Sequence, residues 1–92
     1  MTQAELKSNE MVKLAESIGF MAYAENSSNY RHFHWFLPDS DAAGDHEFSL
    51  SQYKDGSVSY RVKEIGDFGH GTSYVPEVRE RLERIGKRVK GQ

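Results

Sequence analysis

The apolar positions of this chain change period twice, from helical to alternating and back to helical. Met11, Leu14, Ala15 and Ile18 fall on one stripe at helical spacing. Thr2 and Glu5 have the spacing of a capping box, which predicts a single N-terminal helix that starts at once and runs to Ile18. Gly19 supplies a left-handed stop. Alternation then takes over. Residues 20–25, FMAYAE, predict a short strand, and Asn26, Ser27, Ser28 and Asn29 a turn. Residues 30–37, YRHFHWFL, carry the strongest strand signal, with four aromatic side chains in eight positions. Residues 46–53 and 57–65 alternate as a third and a fourth strand, joined by the tight-turn pair Asp55-Gly56. Helical spacing returns in Val78, Leu82, Ile85 and Val89, with Pro76 suited to the first turn. Glu77–Arg81, Glu80–Arg84 and Glu83–Lys87 stand at the stabilising i,i+4 spacing, acid first.

The order is α-β-β-β-β-α. Short connections favour an antiparallel meander. The expected fold is therefore α+β: a four-stranded antiparallel sheet with an N-terminal and a C-terminal helix, both on one face. Strand side chains alternate between faces. One set, Phe33, Trp35, Leu37, Phe48, Leu50, Val58, Tyr60 and Val62, is expected under the helices. The other face then carries Tyr30, His32, His34, Phe36, Ser49, Ser51, Tyr53, Arg61 and Lys63.

Composition narrows the picture. A chain of 92 residues is expected to form one domain, 1–92. At this size roughly 60–65% of the unfolded surface is buried, and 37% hydrophobic content implies a thin core. No run approaches the ~18 apolar residues of a membrane span. The opening MTQAELKSNE has no basic start or apolar h-region, so no secretory leader is expected. The absence of cysteine excludes disulfides and thiolate chemistry, and fits a reducing compartment. The net charge of -2 is unevenly spread. Residues 1–75 carry 6 basic and 11 acidic side chains, whereas residues 76–92 carry 6 and 3, concentrating positive charge in the last helix.

Several groupings carry possible chemistry. His32 and His34 share a strand face, and His46 or His70 would have to approach them to complete a transition-metal site; no third ligand is set by spacing. Asp39, Asp41 and Asp45 lack the terminal glutamate of a calcium loop, so a solvated acidic loop is the expectation. The segment GDFGHGTS precedes a helix, where backbone N–H groups bind phosphate, but it lacks a Lys-Ser/Thr ending. Ser73, His70 and Asp67 contain the atoms of a triad within one short loop, which rarely supplies the mutual geometry. No catalytic residue, metal or cofactor is assigned. The segment around Asp45-His46 is similar in layout to part of a double-stranded-RNA-binding domain, yet SYVPEVRE stands where that family needs its lysine cluster. More persuasive is the alternate face. Tyr30, His32 and His34 with Arg61 and Lys63 combine stacking groups and phosphate-seeking cations. Arg79, Arg81, Arg84, Lys87, Arg88 and Lys90 add a basic helix face, which is otherwise simply solvated.

Over its whole length, from MTQAELKSNEMVKLAESIGF through NYRHFHWFLPDSD to RERLERIGKRVKGQ, the chain resembles phage-encoded anti-CRISPR proteins directed at type I-F systems. The resemblance lies in overall sequence, size and layout, and in no catalytic motif, so it transfers no residue roles. It implies a non-enzymatic inhibitor acting in the host bacterial cytoplasm. Its partner would be the guide-RNA-loaded type I-F surveillance complex, through that complex's proteins or its guide RNA. Inhibition would come from blocking target-DNA hybridisation or nuclease recruitment; the first is favoured. No membrane or small-molecule substrate is implied. The alternative is a small nucleic-acid-binding domain that acts alone.

Overall fold

The N-terminal helical stripe is interrupted at Asn9. In the computed structural model, which describes residues 3–23, 31–38, 44–65 and 71–90, it forms two helices, α1 (Gln3–Ser8) and α2 (Glu10–Ile18). The expectation of one continuous helix is corrected here. Asn9 has an extended backbone, φ -69° and ψ 127°, and its Oδ1 accepts hydrogen bonds from the Met11 and Val12 amides at 2.9 and 3.1 Å. A short amide side chain competes well for exposed helix-start donors, so the chain restarts a helix there. The Asn9 Nδ2 donates to the Tyr60 hydroxyl at 2.7 Å, which ties the restart to the sheet. Thr2 of the proposed capping box lies outside the described residues.

Gly19 ends α2 with φ +121°. Its amide donates to Glu16 O and that of Phe20 to Ala15 O, both at 3.1 Å, the paired bonds of a Schellman stop. Phe20 is thereby turned into the core. Four strands follow: β1 (Met21–Ala22), β2 (His32–Pro38), β3 (Asp45–Gln52) and β4 (Val58–Lys63). They pair antiparallel in the order β1-β2-β3-β4. The first strand, expected over 20–25, is described over Met21–Ala22; residues 24 and 25 lie outside the described residues. The hairpin at Asp55-Gly56 has a three-residue loop, with Tyr53 and Ser57 closing it and Gly56 at φ +88°. Asp55 Oδ1 accepts from the Ser57 amide and hydroxyl at 2.9 and 2.6 Å.

After β4 the chain returns along its outer edge. Val62 and Thr72 exchange two backbone hydrogen bonds of 3.0 Å, and then α3 (Val75–Lys90) begins. All three helices lie on one sheet face. The core between them joins Leu6, Met11, Val12, Ala15, Val78, Leu82 and Ile85 of the helices to Phe33, Trp35, Leu37, Phe48, Leu50 and Val62 of the sheet. The alternation therefore assigned the buried face correctly, with Val58 and Tyr60 at its half-buried margin. Trp35 satisfies its indole N–H on Glu16 Oε2 at 3.2 Å. Among the described residues, no helix is long and apolar enough to cross a membrane.

Candidate functional site

With every helix on one side, the opposite sheet face is left uncovered by the described elements. Strand register arranges that face in rows. His32, Ser51 and Ser59 form one row, His34, Ser49 and Arg61 the next, and Phe36, Glu47 and Lys63 the third. The first strand extends two of these rows. Met21 pairs with Phe36, and the Tyr23 amide donates to the His34 carbonyl at 3.0 Å. Composition thus changes across the sheet. Rings and a thioether lie on the β1–β2 side, hydroxyls in the middle, and positive charge on β4.

Each side chain has a definable setting. The Tyr23 ring packs 5.0 Å from Phe36, tilted by 42°, and edge-on to His34 at 6.2 Å. Both geometries are favourable for aromatic pairs. Met21 beside them is exposed. His32 Nδ1 lies 2.9 Å from Ser51 Oγ, and Tyr53 Oη lies 3.3 Å from Ser59 Oγ. Arg61 is exposed and Lys63 half-buried. Neither makes a hydrogen bond or ion pair through its side chain with a described residue. Lys63 faces Glu47 in register without forming such a pair.

Two shallow depressions mark this face. One, of about 200 Å³, lies among Tyr23, His34, Glu47, Ser49, Arg61 and Lys63, with Trp35 and Phe48 at its base. The other, of about 390 Å³, is bounded by His32, His34, Ser49, Ser51, Ser59 and Arg61, with Tyr53, Tyr60 and Ser73 around it. The second has no carboxylate among its described lining residues. Its lining groups offer hydroxyls, imidazoles and a guanidinium, a donor-rich set suited to an oxyanion.

The helix candidates divide differently. Arg81 reaches Glu77 at 3.0 Å and Glu64 at 4.0 Å. Arg84 pairs with Glu64, not with the Glu80 that spacing suggested. The Nη2 of Arg88 lies 2.6 Å from Nε2 of the fully buried His46, whose Nδ1 receives the Ile65 amide at 3.2 Å. These three arginines fasten α3 to the end of β4 and to β3. Arg79 and Lys87 are exposed and make no ion pair with a described residue.

The suggested approach of His46 to His32 and His34 is corrected. His46 belongs to the helix-side face and is enclosed by α3, whereas His32 and His34 point the other way. Among the described residues no three His, Asp or Glu side chains are grouped to hold a metal ion. Tyr30, Asp39, Asp41, Asp67 and His70, and the side chain of Lys90, lie outside the described residues. Tyr23 and Met21 were missed as face residues. Their parity depends on how β1 registers against β2, which no short-range pattern specifies. No protein-family model, curated protein or solved structure matches the chain.

Proposed function

We propose that this protein acts by binding rather than by catalysis, and that its partner meets the open sheet face. One observation carries the reading. Arg61 and Lys63 stand on that face without a side-chain partner among the described residues, whereas Arg81, Arg84 and Arg88 of α3 are engaged within the fold. Desolvating an already paired arginine at an interface requires breaking its existing contacts; an unpaired one brings its full donor capacity to a partner. The adjoining Met21, Tyr23 and Phe36 supply aromatic and thioether surface of the kind enriched at interface centres.

The resemblance to anti-CRISPR proteins supplies the partner. The protein is read as a stoichiometric inhibitor of the guide-RNA-loaded type I-F surveillance complex, and its binding obstructs pairing of target DNA with the guide. Of the residues named from sequence, Arg61, Lys63, His32 and His34 form the sheet contribution. Arg79 and Lys87 are the helix cations left for a secondary contact.

The test is co-purification with guide-loaded type I-F complex, followed by a target-DNA binding assay. The reading expects a stable complex that no longer binds target DNA. A complex that forms and still binds DNA moves the effect to nuclease recruitment. Absence of any association removes the reading.

A further inference from the structure

We infer that the open face binds a single-stranded nucleic acid, with a phosphodiester in the hydroxyl-lined depression and a base against the Tyr23–Phe36 edge. The inference rests on the reading of this face as the partner-facing surface and names the ligand chemistry it takes.

Three features point to this ligand. The depression bounded by His32, His34, Ser49, Ser51, Ser59 and Arg61 presents donors with no carboxylate among its described lining residues, so a phosphate meets no like charge from them. Beside it, the Tyr23 ring lies 5.0 Å from Phe36 and 6.2 Å from His34, which makes a ringed margin on the β1–β2 side. Third, the two chemistries are separated as a nucleotide strand requires. His34 and Arg61 share a row two strands apart, a span of about 10 Å by ordinary strand spacing. Rings therefore occupy one side of the platform and cations the other, so a strand can stack a base while its backbone crosses the hydroxyls. Glu47 lies one row away and limits the charge, which favours stacking over a purely electrostatic hold.

The experiment is fluorescence anisotropy of the full chain with a short labelled oligouridine, titrated over a range of salt concentrations at one fixed pH. Two cations engaging phosphates predict a slope of log K against log salt of about -1.4, falling to about -0.7 for Arg61→Ala. Tyr23→Leu, which keeps apolar bulk and removes the ring, lowers affinity about tenfold with the slope retained. Lys7→Ala with Lys13→Ala, exposed cations of α1 and α2 on the helix side of the sheet, leaves both quantities unchanged. Circular dichroism verifies that each variant is folded. The inference is overturned by absence of saturable binding, by duplex RNA binding as tightly as the single strand, or by a slope that ignores Arg61→Ala. Loss of binding in the helix variant overturns it as well. The complex assay separates the two readings. Oligouridine binding without complex binding removes the inhibitor reading alone; complex binding that depends on Arg61, with no oligouridine binding, removes this inference alone.

Discussion

At Gly71 the backbone has φ +76°, and a Cβ there would lie 2.2 Å from the Val62 carbonyl oxygen. Positive φ and close backbone approach coincide at the point where the returning chain pairs with β4. Gly71→Ala is expected to lower unfolding free energy by about 2–3 kcal/mol, measured by urea denaturation. Asn9 is a second residue with more than one duty, capping α2 and donating to Tyr60. Asn9→Ala should cost about 1–2 kcal/mol, and Tyr60→Phe, which deletes only the hydroxyl partner, about 1 kcal/mol. Asp55 is different because its effect depends on pH. The Ser57 hydroxyl first, and the Ser57 amide second, hold its carboxyl below the ordinary value of 3.8. A carboxyl lowered in the folded state stabilises above its unfolded value, and that contribution disappears as pH falls through the folded value. Wild type and Asp55→Asn should therefore differ in urea midpoint near neutral pH and converge in acid below the ordinary carboxylate range.

At the scale of elements, α2 and α3 meet over Gly86, which is buried and whose Cβ would sit 3.0 Å from Ile18 Cγ1. A glycine inside a helix costs about 1 kcal/mol relative to alanine, and here it permits close approach. Gly86→Leu should separate the helices and cost about 1–3 kcal/mol in the same denaturation assay, while leaving β2 and β3 protected in hydrogen exchange. This scale also explains what was legible in the chain. Period-two alternation in β2, β3 and β4 identified Phe33, Trp35, Leu37, Phe48, Leu50 and Val62 as one face, because a pleated strand leaves no other choice once its ends are set. The stripe of α3 was equally plain. The break at Asn9 was less plain: Asn is a favoured N-cap residue, but the Tyr60 partner that holds it lies 51 residues away. The His46 parity was readable from Phe48 and Leu50, but its enclosure by Arg88 is a contact across 42 residues. The same applies to the sharing of Glu64 by Arg81 and Arg84. Local spacing predicted Glu80 for Arg84; tertiary packing supplied a half-buried carboxylate instead. The site was legible in its chemistry and not in its membership, because face composition follows from alternation while row alignment follows from register.

For the whole molecule, the division of labour between the two sheet faces is the central point. One face is fully occupied by three helices and fixes the domain. The other, graded from rings through hydroxyls to cations, contributes little to the core and is left uncovered by the described elements. Substitutions on it should therefore separate binding from stability, which core substitutions cannot do. The most direct measurement is a pull-down of guide-loaded type I-F complex with wild type and with the double charge reversal Arg61→Glu, Lys63→Glu, alongside urea denaturation of both. The expected result is loss of association, with the unfolding free energy changed by less than about 1 kcal/mol, as for surface positions. Association of the folded double variant at wild-type strength would contradict the assignment of the open face.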